Sequence, residues 1–195
     1  MAERRYYRLE DWKGNVYYQD SSGSDSASSI HKDASLKDET GSGMTSDGTI
    51  VSDNTANLGK AVMLASNASS VRNLLTATFD NIPFGKYSIS LRMKSNVATG
   101  TSNIMRVRCY YVDNTGANST TLLSTTYITG ETFGIANKYL DLGFITDFRG
   151  KYTSSVSLRV NIDLMNISGT TAYMDTITLQ RAMVGMAGLN TSYSV

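Results

Sequence analysis

Residues 74–94, LLTATFDNIPFGKYSISLRMK, decide the fold. In the second half Tyr87, Ile89, Leu91 and Met93 alternate with Lys86, Ser88, Ser90, Arg92 and Lys94, the period of two that a strand with one buried face requires. In the first half Leu75, Ala77 and Phe79 alternate with Thr76, Thr78 and Asp80. The connector Asn81-Ile82-Pro83-Phe84-Gly85 holds the only proline of the chain. Proline fixes φ and glycine admits positive φ, so the stretch predicts two strands joined as a hairpin by a short, stiff loop.

The same alternation extends in both directions. It predicts strands near 49–52, 60–66, 72–79, 86–94, 103–112, 120–129, 138–144, 155–164 and 171–181, separated by turn-forming runs such as Val112-Asp-Asn-Thr-Gly116 and Asn166-Ile-Ser-Gly169. Short strands at this spacing, with almost no helical periodicity, predict an all-β protein: an antiparallel β-sandwich of two sheets. The sandwich is expected over residues 44–181. Before it come an N-terminal docking arm, 1–19, and a Ser/Asp/Gly-rich linker, 20–43; after it comes a glycine-broken apolar tail, 182–195.

Composition narrows the function. Lys and Arg number 18 against 17 Asp and Glu, a net charge of +1, so the chain lacks the global field that marks a nucleic-acid binder. No apolar run approaches the ~20 residues of a membrane span, and MAERRYYRLEDW lacks the apolar centre of a signal peptide. Synthesis in a cytoplasm without membrane insertion is the expectation. The single cysteine, Cys109, excludes an internal disulfide and falls on the apolar side of its strand, where a buried thiol is expected. His31, the only histidine, is read as a solvated linker side chain.

The arm combines Arg4, Arg5 and Arg8 with Tyr6, Tyr7, Trp12, Tyr17 and Tyr18 around a Lys13-Gly14-Asn15 turn signal. It reads as a small hairpin or an extended arm. Large aromatics beside arginines carry much of the energy of interfaces, so Arg4, Arg5, Tyr6, Tyr7, Trp12, Tyr17 and Tyr18 are the expected docking residues. The alternative is that this segment packs as an outer strand on its own sandwich.

Catalytic signatures are missing from the sequence: it has no Gly-x-Ser-x-Gly elbow, no His-Glu-x-x-His, no phosphate-binding glycine loop and no dinucleotide fingerprint. A non-enzymatic protein is expected. The informative residues are those that alternation points away from the core: Arg106, Arg108 and Tyr110 on one strand, Arg159, Asn161 and Asp163 on another, and Arg92 and Lys94 on the strand of the opening stretch. Were these three strands in one sheet, their outer face would suit sugar recognition, with a ring stacked on an aromatic and hydroxyls against planar hydrogen-bonding groups. Arg92, Arg106, Arg108, Tyr110, Arg159 and Asn161 are therefore the candidate glycan-binding set.

Three segments carry a family resemblance. Phe79 to Tyr87 (FDNIPFGKY), Lys138 to Ile145 (KYLDLGFI) and Ala172 to Leu179 (AYMDTITL, with a closing D-x-I-x-L) follow in the order found in carbohydrate-binding-module-like jelly rolls, and the resemblance covers about residues 44–181. It implies a jelly-roll connection of the strands. It also implies a structural calcium ion near the last strand, with Asp175 as the liganding carboxylate and Asp53, Asn54 or Asn57 contributing from an early loop; the alternative for Asp175, and the favoured one, is that it caps a turn or pairs with an arginine. The segment from Trp12 to Tyr18 (WKGNVYY) resembles the attachment ends of bacteriophage head and tail appendage proteins. That resemblance implies a virion protein, made in the host cytoplasm and attached through its N-terminal segment to capsid or tail proteins. It further implies a homo-oligomer, a trimer by family habit, displaying its domain toward host-surface glycans. A stand-alone or bacterial cell-surface glycan-binding module is the alternative, and beyond the calcium no cofactor is implied.

Overall fold

In the computed structural model of the chain, residues 6–10, 16–20, 29–80, 82, 84–113, 119–149 and 156–181 are described, with the backbone alone for 6–10, 16–20 and 29. Thirteen strands follow in order: β1 (Tyr6–Glu10), β2 (Val16–Asp20), β3 (Ser29–Asp33), β4 (Met44–Thr45), β5 (Thr49–Ser52), β6 (Lys60–Ala65), β7 (Arg72–Asp80), β8 (Gly85–Ser95), β9 (Asn103–Asp113), β10 (Thr120–Thr129), β11 (Leu140–Phe148), β12 (Val156–Leu164) and β13 (Thr171–Arg181). The helical elements among the described residues are two short 3-10 turns, Ala34–Leu36 and Gly130–Phe133. None is long or apolar enough to cross a membrane.

The strands form two sheets, and every pairing is antiparallel. In sheet I, β13 is the hub: β8 runs along one edge and carries β11 beyond it, while β6 with β5, and β3 with β2 and β1, share the other edge. Sheet II has the order β10-β9-β12-β7-β4. The inner faces are those the alternation named: Tyr87, Ile89, Leu91 and Met93 of β8 against Ala77 and Phe79 of β7, Val107 and Cys109 of β9, and Leu158, Val160 and Ile162 of β12, all buried in one cluster. At about 1.5–3 kcal/mol for each large side chain removed from water, this cluster is what holds the sheets face to face. The fold is an antiparallel jelly-roll β-sandwich.

The opening stretch folds differently from the expected hairpin. β7 pairs with β12 and β4 in sheet II, whereas β8 pairs with β11 and β13 in sheet I, so the connector crosses from one sheet to the other. Ile82 is buried beneath the crossing. Phe84 closes that end of the core, with its ring centroid 5.1 Å from Phe148 and 6.3 Å from Tyr111. A few extended residues at ~3.3 Å each suffice to span the ~10 Å between packed sheets.

The linker reading also needs correction over residues 29–43. β3 pairs with β13, Ala34 is buried, and His31 is half-buried with Nδ1 2.9 Å from Thr178 Oγ1. The short β3 escapes notice because its composition is polar: Lys32 and Asp33 are buried through partners, Lys32 Nζ donating to the Ser42 carbonyl and Asp33 accepting from Ser35 N–H at 2.8 Å. The backbone of 6–10 and 16–20 forms a hairpin that extends sheet I through β3, with Val16 opposite His31. Arg4, Arg5 and Trp12 lie outside the described residues, as do 21–28 and the tail 182–195. Tyr6, Tyr7, Tyr17 and Tyr18 are described in backbone only.

Candidate functional site

The outer faces of the two sheets differ in how far the chain satisfies its own polar groups. On sheet I, a bulge between Met174 and Thr176 of β13 re-aims Asp175 into a fully buried position. Its Oδ2 accepts from Arg92 Nε at 2.9 Å and from the Asn57 N–H at 3.1 Å. Arg92 also reaches Asp141 at 3.4 Å and lies 5.1 Å from the Tyr139 ring centroid. Beside it Lys94 Nζ sits 2.5 Å from Asp53 Oδ2, between the rings of Tyr139 and Tyr173 at 4.6 and 4.8 Å, and the Tyr139 hydroxyl donates to Asp53. Burial works against the Asp53 charge, but Lys94, Thr55 and Tyr139 together hold its carboxyl well below the usual range. Burial first, then the Asp53 carboxylate, pushes the Tyr139 phenol up. The network fastens the loop 53–59 over sheet I and leaves its charged groups engaged with one another.

Arg92 is thereby removed from the expected glycan set, because β8 belongs to sheet I and the other five residues belong to sheet II. Lys94 is likewise buried in the network. Sequence reasoning missed Tyr139 and Tyr173, whose spacing from Arg92 and Lys94 along the chain carries no signal of proximity.

Asp175, the expected calcium ligand, thus has an arginine for its partner. Its Oδ1 and Asp33 Oδ2 are buried without hydrogen-bond partners among the described residues, and burial raises the Asp175 carboxyl above its ordinary range. A hard cation takes six to eight oxygens as a rule. Among the described residues no group of three His, Cys, Asp or Glu side chains that could hold a metal ion converges.

On sheet II the expected residues do meet. The β9–β12 ladder sets Tyr110 opposite Arg159, Arg108 opposite Asn161 and Arg106 opposite Asp163. Asp163, almost fully buried, gathers both neighbouring arginines: Arg106 Nε donates to its Oδ2 at 2.9 Å, and Arg108 Nη2 lies 2.8 Å from the same oxygen. Although burial alone would lower it, the Asp163 contact raises the proton affinity of Arg106. Arg108 also lies over Tyr110, 5.4 Å from the ring centroid. Tyr127 and Leu122 of β10 are exposed beside Arg106 and Tyr110 respectively, apolar surface that the sequence reading did not assign to this face.

The next ladder, β12–β7, places Arg159 opposite Thr78 and Asn161 opposite Thr76. These four side chains floor a cleft of about 510 Å³, and the strap 39–45 forms its other wall with Glu39, Ser42 and Thr45. The strap is held by Gly43: its φ is +64°, its carbonyl accepts from the Thr78 N–H at 2.8 Å, and a Cβ there would sit 2.9 Å from the Thr78 carbonyl oxygen. Arg159 makes no hydrogen bond or ion pair with any described residue. Asn161 Oδ1, on the floor, and Arg108 Nε, beside it, are buried without hydrogen-bond partners among the described residues. Chemically, the cleft offers hydroxyls, an amide and a guanidinium to a polar ligand.

No family model matches the chain, and no curated protein matches it. Solved structures that it resembles include carbohydrate-binding modules. The CBM22-2 xylan-binding domain from Paenibacillus barcinonensis is 12% identical, covering 78% of this chain and 98% of that one, with a TM-score of 0.48. TmCBM61, solved with β-1,4-galactotriose, is 13% identical over 71% and 87% of the two chains, with a TM-score of 0.41. A family 35 carbohydrate-binding module from Clostridium thermocellum is 12% identical over 77% and 97%, with a TM-score of 0.44. At that degree of similarity the chemistry of the cleft rests on this chain's own residues.

Proposed function

We propose that this chain is a non-enzymatic glycan-binding module whose ligand lies in the cleft between the strap 39–45 and the outer face of β7 and β12. One observation carries the reading: Arg159, Asn161, Thr76 and Thr78 form a contiguous floor of donors and acceptors in a cleft of about 510 Å³, with the Arg159 guanidinium unengaged by any described residue. Sites for small polar ligands are built in this way, from a few converging polar groups in a concavity. Tyr110 and Tyr127, on the same face, supply aromatic surface along which a longer saccharide would continue. The test is a glycan array probed with the full chain and with a Thr76→Ala/Asn161→Ala double variant. Binding by the parent and its loss in a variant of unchanged melting temperature are expected; binding that the variant retains would place the ligand elsewhere.

The finer reading is that the module is displayed on a bacteriophage virion, as a homo-oligomer attached through its N-terminal segment to capsid or tail proteins. It is supported by the resemblance of residues 12–18 to appendage attachment ends. Antibody labelling of purified particles tests it: absence of the chain from particles would leave the stand-alone or cell-surface module as the context for the same cleft.

A further inference from the structure

We infer that the glycan bound in this cleft is acidic, and that Arg159 reads its carboxylate. This rests on the glycan-binding reading and deepens it. The first ground is charge: Arg106, Arg108 and Arg159 share the outer face of β9 and β12 with one carboxylate, Asp163, which leaves an excess of two positive charges there. The second is geometry. Asp163 takes Arg106 and Arg108 at 2.9 and 2.8 Å, a trio that keeps one of the two charges engaged around a shared carboxylate; the other is carried by Arg159, the arginine that lines the cleft and meets no described partner. A guanidinium presents a planar fork of donors that matches a carboxylate through two parallel hydrogen bonds, stronger than those it makes to neutral hydroxyls. On the same floor Thr76, Thr78 and Asn161 have the size and polarity to receive the ring hydroxyls of the sugar that bears the acid.

Glu39, on the strap, is the one acidic side chain among the described residues lining the cleft, and it is exposed. It opposes an anionic ligand from across the opening. Its removal therefore separates two chemistries, since an acidic sugar gains when a like charge is removed, whereas a neutral sugar using Glu39 as an acceptor would lose.

The experiment is calorimetric titration of the full chain with trigalacturonate and its methyl ester, and with sialyllactose and lactose, two pairs that compare an acidic with a neutral saccharide. At least one acid is expected to bind about tenfold or more tightly than its neutral counterpart, with the preference falling at high salt. Arg159→Gln is expected to abolish that preference while leaving the melting temperature unchanged, and Glu39→Gln to tighten the acid about two- to threefold. Equal or tighter binding of the neutral partner, or an acid preference that survives Arg159→Gln, overturns the inference and leaves the glycan reading standing. Failure of all four saccharides here, together with an empty glycan array, overturns both.

Discussion

Arg108 places Nη2 2.8 Å from Asp163 Oδ2, and that same oxygen accepts from Arg106 Nε at 2.9 Å. Two guanidinium groups thus depend on one almost fully buried carboxylate. Replacing it leaves both cations partly buried without a counter-charge, a more costly change than losing an exposed pair. Asp163→Asn is expected to lower stability by about 2 kcal/mol, read as a drop in the urea midpoint at unchanged slope. A change within about 0.5 kcal/mol would mean that the three residues are solvated as an ordinary surface pair.

Gly43 links stability to the cleft. Its left-handed backbone and its approach to the Thr78 carbonyl leave no room for a Cβ, so Gly43→Ala must displace the strap. The expected result is a loss of about 1–2 kcal/mol together with weakened glycan binding, while the core strands retain their amide exchange protection. Unaltered binding would separate the strap from the site.

The pH dependence has a definite sign. Asp53 has a folded-state pKa below its ordinary value of 3.8, so it binds protons less readily folded than unfolded. Its stabilising contribution is present above that ordinary value and is lost as pH falls toward the folded one. Asp175 acts in the opposite direction: raised by burial, it favours the folded state most where it is protonated, and that contribution is lost as pH rises through its raised pKa. Asp53→Asn is expected to flatten the acid side of the stability profile below about pH 4, measured by urea unfolding at stepped pH. A profile that keeps its full acid slope in this variant would contradict the Lys94–Asp53 contact as its source.

Calcium provides a further test on sheet I. Because Arg92 already neutralises Asp175, we expect chelation by EDTA or addition of millimolar calcium to leave the melting temperature unchanged. A rise of several degrees with calcium, lost in Asp175→Asn, would instead identify a cation held through the unpartnered oxygens of Asp33 and Asp175.

The strands were largely legible because period-two alternation is local: Thr120–Thr129 and Thr171–Arg181 have the bounds that the sequence suggested. Sheet membership was not, since Leu75, Ala77 and Phe79 satisfy the same alternation whether β7 turns back on β8 or crosses to the other sheet. That single ambiguity separated Arg92 from Arg106, Arg108, Tyr110, Arg159 and Asn161. The remaining five were found together because β9 and β12 are adjacent and their outward residues are all polar or amphipathic. The strap was missed for another reason: Glu39 to Thr45 has the composition of a linker, and its place over Thr76 and Thr78 depends on a tertiary contact at Gly43.

The most direct test of the cleft is a two-dimensional amide NMR titration of the isotope-labelled full chain with the best saccharide from the array. The expected result is that the largest shifts fall on residues 41–45, 76–78 and 159–161, with smaller ones reaching Tyr110 and Tyr127. Shifts confined to the Arg92, Lys94 and Tyr139 region of sheet I, or spread with no maximum on β7 and β12, would contradict the assignment.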